Sequence, residues 1–327
     1  MHRELLDILI CPICRSDGPL ELKEIEHSED DIIKGILSCR ACRKEYQIVN
    51  GIPRFAEIDQ NYAQAFGYQW NRWRTVQVDR HAGHTLSTAR LFQDTRWTPN
   101  SLTGMLVLDA GCGAGRFTDV LAEAGARVIA IDLSSAIDAC RANTIDRGYR
   151  VECLQASIYN LPFRQGTFDS VHCAGVIQHT PDPARTMRAL PHYLKPGGRL
   201  AYNFYEQNIT RRFQIIKYGL RLFTPHLPPR ILLAFCQAMV WCLFPFTYVF
   251  SKIRFVRFFV QFLPICASHH DALDIRAQFT WTLLDTFDWY NPRYEYAQDH
   301  KKVAQLLREE GLKDVEASPG LAWGRKP

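Results

Sequence analysis

The sequence predicts an α/β protein in which a doubly wound parallel sheet follows a small metal-binding module and is interrupted by a helical insertion. Three observations predict this architecture. Residues 105–109 form an apolar run that ends in a glycine-rich turn, and a helical pattern follows. Two Cys-x-x-Cys pairs lie near the start of the chain, and residues 231–250 carry no charge. With 327 residues, the chain is long enough for two or three domains.

The composition excludes several classes of protein. A hydrophobic content of 47% with ordinary amounts of glycine and proline argues against disordered and collagen-like chains. The net charge of +5 is too small to indicate nucleic-acid binding by itself. Charge is uneven, however, because residues 209–264 contain eight Lys and Arg and neither Asp nor Glu. Since this segment is also apolar, we expect it to suit anionic, apolar surfaces better than a phosphate backbone alone.

Four cysteines have the spacing of a metal site. Cys11 and Cys14 form one Cys-x-x-Cys pair, and Cys39 and Cys42 form the second. Four thiolates complete the tetrahedral shell of a structural zinc ion and leave no open position for catalysis. Redox pairs are the alternative interpretation. We therefore predict structural zinc as one cofactor of the chain.

The glycine turn after residues 105–109 predicts a ligand site at the carboxyl end of the first strand of the sheet. Its spacing, Gly-x-Gly-x-Gly from Gly111 to Gly115, differs from the dinucleotide pattern Gly-x-Gly-x-x-Gly. Asp109 directly before the turn would repel a pyrophosphate but suits an ammonium group. A second apolar run ends at Asp132, where a carboxylate can accept hydrogen bonds from ribose hydroxyls. A ligand with an amino-acid end and a ribose end fits, and S-adenosyl-L-methionine is such a molecule.

Further motifs follow in order and carry a family resemblance. They lie at residues 107–116, 131–132, 161–163, 168–171, 175–183 and 194–198. In these motifs the chain resembles class I S-adenosylmethionine-dependent methyltransferases, within the group that includes the ubiquinone and menaquinone methylases. This resemblance implies a seven-stranded Rossmann-like sheet, with Asp132 facing the ribose and the loop at 109–115 facing the methionine part. The cofactor-binding residues it implies are Asp109, Gly111, Cys112, Gly113, Gly115, Arg116, Asp132, Leu133, Ser157, Ile158, Gly175 and Gln178.

The N-terminal segment has a resemblance of its own. From residues 5–9 through both cysteine pairs to residues 46–54, it is similar to the zinc-ribbon family of small proteins that partner tRNA and protein methyltransferases. We therefore predict a zinc-ribbon domain at 1–57, a linker with N-terminal helices at 58–100, and a methyltransferase domain at 101–327. An aromatic stretch at 62–73 is expected to form a helix that closes over the cofactor.

His179 is the candidate catalytic residue. Methyl transfer by in-line attack on a sulfonium needs neither a metal nor a covalent enzyme intermediate, but a hydroxyl acceptor benefits from a base. An imidazole titrates near neutral pH and lies here after the fourth strand. The alternative is a structural histidine in the turn at 179–181.

A long insertion at 207–275 is expected to decide the acceptor. Residues 213–223 have apolar side chains at helical spacing with basic neighbours, which predicts a basic amphipathic helix. Residues 231–250 are long and apolar enough to span a membrane. A single span would separate two parts of one sheet, so two interpretations remain open: a buried lid over the acceptor, or a lid that also dips into a membrane surface. Aromatic residues at 286–294 either wall the acceptor pocket or pack in the core.

These features predict an S-adenosylmethionine-dependent methyltransferase that acts on a small apolar or lipid-linked acceptor. A zinc-ribbon RNA methyltransferase and a non-catalytic cofactor-binding scaffold are the alternatives. Glu4 and Asp7 interrupt the first apolar run, which predicts that no targeting signal begins the chain. Seven cysteines without metal spacing indicate a reducing compartment. We therefore expect a cytoplasmic protein, either free or peripheral at the inner face of a membrane, and leave its oligomeric state open.

Overall fold

The computed structural model describes residues 1–28, 31–56 and 62–327, and it contains two sheets. The first sheet lies in the N-terminal module, where four antiparallel strands pair in chain order. Tyr46 and Ile48 alternate with exposed neighbours and are buried, as the two-residue period of a strand requires. The strands are β1 (Glu21–Ser28), β2 (Asp31–Ser38), β3 (Glu45–Val49) and β4 (Ile52–Pro53).

Three helices connect the N-terminal module to the second sheet. They are α1 (Gln64–Arg72), α2 (Asp79–Ala82) and α3 (Leu86–Thr95). The first lies within the aromatic stretch for which a helix is predicted, and it places Phe66 and Trp70 against the central cavity. The predicted helix is therefore present and lies next to the glycine loop.

The second sheet confirms the predicted doubly wound, seven-stranded fold. Its strands are β5 (Leu106–Ala110), β6 (Arg127–Asp132), β7 (Val151–Gln155), β8 (Phe168–Ala174), β9 (Leu194–Asn203), β10 (Lys313–Ser318) and β11 (Leu321–Arg325). They pair in the order β10-β11-β9-β8-β5-β6-β7, with the first five in sequence parallel and β11 antiparallel to both of its neighbours. The order reverses at β5, so a crevice opens beyond the carboxyl ends of β5 and β8. Helices α4 (Arg116–Glu123), α5 (Ala136–Thr144) and α6 (Pro183–Ala189) flank this sheet.

A helical insertion separates β9 from the last helix and strands. It comprises α7 (Ile209–Arg212), α8 (Ile215–Leu220), α9 (Pro229–Phe250), α10 (Arg254–Val260) and α11 (Ile275–Tyr290), and α12 (His300–Glu309) follows it. The buried side of α9 recurs every three or four residues, from Leu232 and Cys236 to Val240 and Phe244, and packs against α11. By length and composition α9 could cross a membrane, with a mean hydropathy of 1.7, and 33% of its most apolar window is buried.

The amphipathic helix predicted at 213–223 is represented by α8. Lys217 is 5% exposed, whereas Ile215 and Ile216 on the same helix are 74% and 56% exposed. The Lys217 ammonium lies 5.3 Å from the centre of the Trp289 ring, and the Tyr218 hydroxyl lies 3.4 Å from the Glu295 carboxylate. The basic side chain of α8 therefore points inward and its isoleucines point outward, an orientation that the spacing alone did not predict.

The N-terminal module and the second sheet share one hydrophobic core. Leu9 forms a bridge with Phe163, and the Ile10 amide donates to the Pro162 carbonyl at 2.9 Å. At the other end of the module, the Phe55 amide donates to the carbonyl of Gln155, the last residue of edge strand β7, at 2.8 Å. Buried side chains of the module and of the large sheet form one continuous cluster. The module thus packs directly against the sheet domain and is not tethered to it through the linker alone.

Candidate functional site

The loop after β5 brings its backbone unusually close to neighbouring side chains. Gly111 has a φ of 85°, and a Cβ atom there would lie 2.2 Å from a methyl carbon of Val176. Gly113 has a φ of 54°, and a Cβ would lie 3.2 Å from the Trp70 indole nitrogen. Only glycine combines this conformation with this clearance. The loop therefore packs closely against its neighbours, and its amides at Gly111 and Gly113 donate to the Ile131 carbonyl and the Asp132 carboxylate.

Asp132 ends β6 beside this loop. Its carboxylate accepts hydrogen bonds from the Gly113 amide at 3.0 Å, from the Ser134 amide at 2.8 Å and from the Ser134 hydroxyl at 2.7 Å. Removal from bulk water raises the pKa of Asp132 above its usual value, while these hydrogen bonds oppose the rise. The carboxylate is held rigidly at the cavity wall, where it can accept hydrogen bonds from two adjacent hydroxyl groups.

A cavity of about 470 Å³ lies beyond the carboxyl ends of the parallel strands. Its volume falls within the range of small-molecule sites. One end is formed by the glycine loop, and the other end is formed by aromatic and charged residues of the insertion. Eight of the twelve predicted cofactor residues line it: Gly111, Cys112, Gly113, Arg116, Asp132, Leu133, Ile158 and Gly175.

Four predicted cofactor residues lie outside the cavity lining. Asp109 is buried, and its carboxylate accepts from the Thr118 hydroxyl at 2.6 Å and lies 2.9 Å from Nδ1 of His172. Each carboxylate oxygen of Asp109 thus has a partner within the protein, and the predicted contact with an ammonium group stays a prediction. Gly115 faces the Cys140 thiol, where a Cβ would come within 2.9 Å of Sγ, so its glycine serves packing. The Ser157 hydroxyl accepts from the amide two residues on and caps a short turn.

Gln178, the fourth of these residues, is fully buried. Within the described ranges neither its amide nitrogen nor its amide oxygen has a hydrogen-bond partner. A buried primary amide without partners is costly, and bound ligands often satisfy such groups. Because Gln178 lies outside the cavity lining, its role in binding the cofactor stays a prediction.

His179 lines the middle of the cavity. Its Nδ1 lies 2.9 Å from the carbonyl oxygen of Tyr294, so Nδ1 carries the proton and Nε2 keeps a lone pair. The ring packs between Phe66 and Tyr205, with centroids 5.3 and 5.4 Å away. Burial lowers the pKa of His179, which keeps the ring neutral. The geometry permits both a base and a structural role, and the catalytic assignment stays a prediction.

Two acidic residues that sequence reasoning missed face the same cavity from α11. Asp288 accepts a hydrogen bond from the Gln69 amide at 2.7 Å. Asp285 also lines the cavity, and burial raises its pKa to about 7, with the negative charge of Asp288 adding to the rise. The signal was present, because two carboxylates three residues apart in an otherwise apolar helix face the same side.

Arg211 of the insertion belongs to the far wall of the cavity, and Arg221 lies behind it. The Arg211 guanidinium lies 4.7 Å from the Tyr205 ring centroid and pairs with the Glu295 carboxylate at 2.9 Å. Arg221 approaches the same carboxylate at 3.6 Å. Tyr205 and Trp289 line the cavity together with Arg211. The aromatic residues near 290 thus both wall the cavity and, through the buried Tyr290, pack in the core.

The four N-terminal cysteines meet in space. Their Sγ atoms all lie within 4.8 Å of one another, with Cys14 to Cys39 at 3.5 Å and Cys11 to Cys42 at 3.6 Å. A tetrahedral zinc–thiolate site has sulfur–sulfur edges of about 3.8 Å, so the cluster fits this metal as one group of four. The Tyr46 hydroxyl lies 3.1 Å from Sγ of Cys11 and can support that ligand.

Comparisons with known proteins match the N-terminal module and the sheet domain to different families. Residues 2–51 match the Trm112p-like protein family, and residues 108–202 match a methyltransferase domain family. The ubiquinone biosynthesis O-methyltransferase of Xanthomonas euvesicatoria pv. vesicatoria (strain 85-10) is 35% identical over 154 residues, which cover 46% of this chain and 63% of the relative. The corresponding enzyme of Xylella fastidiosa (strain 9a5c) is 34% identical over 152 residues, 45% of this chain and 61% of the relative. The chain thus spans less than two thirds of these curated relatives.

Among solved structures, the magnesium protoporphyrin IX methyltransferase of Synechocystis PCC 6803 aligns with a TM-score of 0.46 and 16% identity. That alignment covers 81% of this chain and 97% of the Synechocystis chain. Residues 2–51 are thus similar to Trm112p-like proteins, and residues 108–202 are similar to methyltransferase domains.

Proposed function

We propose that this chain is an S-adenosylmethionine-dependent methyltransferase whose acceptor is a small apolar or lipid-like molecule. The observation that carries the proposal is the cavity itself. The glycine loop and the rigid Asp132 carboxylate form one end of the cavity, and aromatic side chains form the other end. The two ends fit a nucleoside-bearing methyl donor and an apolar acceptor in one enclosed space.

The residues of the first end suit the donor. Asp132 would hold the ribose hydroxyls, while Leu133 and Ile158 would flank the adenine. The glycine loop, which lines this end with Gly111, Cys112 and Gly113, would lie against the amino-acid part. When bound, this molecule supplies an electrophilic methyl group on a sulfonium, and the sulfur leaves as a neutral thioether. The protein contributes orientation and exclusion of water.

The residues of the second end suit an acceptor that loses a proton. If the acceptor is a phenol or another hydroxyl, its O–H bond breaks as the new O–C bond forms, and the proton passes to a protein base. Asp285 fits this role, because a group with a pKa of about 7 can accept a proton near neutral pH. Nε2 of His179 is the second candidate. Phe66, Tyr205 and Trp289 offer flat apolar walls to an aromatic acceptor.

The alternatives have less support in the structure. A single-stranded RNA is bound by basic side chains beside exposed aromatic platforms, but near the cavity Arg211, Lys217 and Arg221 are turned inward against aromatic rings and Glu295. A scaffold without catalysis does not need an enclosed space opposite the donor site. Cysteine thiolates that bind metal require a reducing environment, so the proposal places the chain in the cytoplasm.

A labelling experiment tests the proposal. Purified protein is incubated with a cell extract and S-adenosylmethionine carrying a radiolabelled methyl group, and the organic, RNA and protein fractions are counted. We expect label in the organic fraction. Label in RNA would support the first alternative, and no labelled fraction despite measured donor binding would support the scaffold. The Asp132→Ala variant is the control, because it should lose the labelling in every case.

A further inference from the structure

The helical insertion has an outer surface of inverted polarity. Most of the large hydrophobic side chains that are exposed in the described part of the chain lie between residues 209 and 275. They include Ile215 on α8, Trp241 on α9, 69% exposed, and Phe255 on α10, 77% exposed. A water-facing surface normally carries polar side chains, and exposed apolar patches of this kind mark interaction sites. We call the exposed apolar side chains of α7–α10 the apolar surface.

The inward basic residues explain why apolar side chains occupy the outer surface of α7 and α8. Arg211 and Lys217 are held beneath it by Glu295 and the Trp289 ring. Turning α7 and α8 over would bring the isoleucines inside but would leave Glu295 and the aromatic rings without their cations. The fold therefore stabilises the arrangement in which apolar side chains point outward. Such an arrangement suits an apolar medium outside the protein.

Phenylalanines extend the apolar surface on α10. Phe255, Phe258 and Phe259 are all exposed, and the rings of Phe255 and Phe258 each lie 5.5 Å from the ring of Phe259. Protruding aromatic rings of this kind partition into the boundary between lipid headgroups and acyl chains.

Charge indicates which apolar partner fits. Residues 209–264 contain no Asp or Glu, and Arg230 and Lys252 are exposed beside the apolar side chains. An anionic bilayer satisfies both features at once, because its headgroups attract cations while its acyl chains receive apolar side chains. We infer that the apolar surface of α7–α10 docks this protein on an anionic lipid bilayer.

The position of α7 connects this surface with the cavity. Arg211 lines the main cavity, while Ile209, two residues earlier on the same helix, is exposed on the apolar surface. Arg211 and Ile209 also line a second cavity of about 510 Å³. A docked protein would therefore have this side of its cavity facing the bilayer. In this respect the inference rests on the proposed function, because this orientation would let a lipid-borne acceptor enter the cavity without crossing water.

Vesicle flotation tests the docking with the full-length protein. Vesicles of phosphatidylcholine mixed with phosphatidylglycerol are compared with vesicles of phosphatidylcholine alone. We expect binding to the mixed vesicles that weakens at high salt but persists in part. The triple variant Phe255→Ser, Phe258→Ser, Phe259→Ser should lower the partition coefficient at least about tenfold, because each ring buries apolar area. The matched control Ile25→Ser, an exposed apolar residue of the N-terminal sheet, should change it less than about twofold.

A second measurement reports on depth and does not depend on the methyltransferase activity. Brominated acyl chains quench tryptophan fluorescence at close range, and Trp241→Phe should remove most of the quenching if α9 lies at the surface of the bilayer. Absence of flotation with either vesicle, or equal loss in the control and triple variants, would overturn the inference. So would a dimer on gel filtration that the triple variant dissociates, because a second copy would then cover the surface. Docking and labelling can fail separately, so the two proposals remain distinguishable.

Discussion

Replacing Asp285 by Asn should stabilise the protein and inactivate it. The carboxyl group lines the cavity, and burial raises its pKa from 3.8 to about 7. The folded protein therefore binds this proton more tightly than the unfolded chain does, and stability is lost as the pH rises towards 7. A rise of this size corresponds to about 4 kcal/mol, and water in the cavity reduces the cost to about 2 kcal/mol. Asn keeps the shape and never ionises.

Thermal unfolding at several pH values measures this effect. The variant should match the wild type near pH 4, gain stability relative to it as the pH rises, and differ by a constant amount above pH 7. About 2 kcal/mol corresponds to about 3 °C in Tm for a protein of 327 residues. Asp271→Asn, an exposed aspartate, is the matched control and should shift Tm by little at any pH. A difference between Asp285→Asn and the wild type that does not depend on pH would refute the reasoning.

The same variant separates stability from catalysis. If Asp285 accepts the acceptor proton, its loss should lower kcat by about 10²–10⁴-fold while donor binding stays unchanged. A variant that is more stable, binds the donor and is inactive would identify a residue whose destabilising burial serves the reaction. Full activity in the stabilised variant would favour His179 as the base. Burial of Asp285 would then serve packing alone.

Three further predictions concern the donor and metal sites. Asp132→Ala should weaken S-adenosylmethionine binding by about 10–100-fold in calorimetry with an unchanged circular dichroism spectrum, since a charged hydrogen-bond acceptor is lost; an unchanged Kd contradicts the donor placement. Metal analysis should find about one zinc ion per chain, and the double variant Cys11→Ser, Cys14→Ser should contain none. Gly111→Ala should abolish donor binding, whereas Gly83→Ala, with a φ of 70° but open space around it, should cost only about 1 kcal/mol of stability; equal effects would show that backbone strain alone is responsible.

Local patterns in the sequence were sufficient for the glycine loop, Asp132 and the zinc cluster. The glycine loop and Asp132 depend on spacing within a few residues, and the zinc cluster depends on two short cysteine pairs. Strand geometry then determines where these residues lie. Asp109 shows where this reasoning ends. Its position before the loop is local information, but the Thr118 hydroxyl that occupies it comes from the next helix, and His172 from a strand far along the chain.

The insertion is a second case in which local sequence patterns did not determine the contacts in the fold. Spacing predicted the apolar and basic faces of α8 but not which of them points inward. That choice depends on Glu295 and Trp289, which lie more than seventy residues away in the chain and become neighbours only in the fold. The acidic residues of α11 were overlooked although their three-residue spacing was visible, because spacing alone does not show that a cavity lies beside the helix.

The shared core of the N-terminal module and the sheet has a consequence for the living cell. Two separate proteins would associate according to their concentrations, whereas here covalent continuity fixes the ratio at one to one and makes assembly insensitive to dilution. Because the bridge from Leu9 to Phe163 lies close in the chain to the first cysteine pair, loss of a metal bound by the cysteines would loosen packing that reaches the second sheet. Zinc supply would thereby govern how many copies of this polypeptide survive proteolysis.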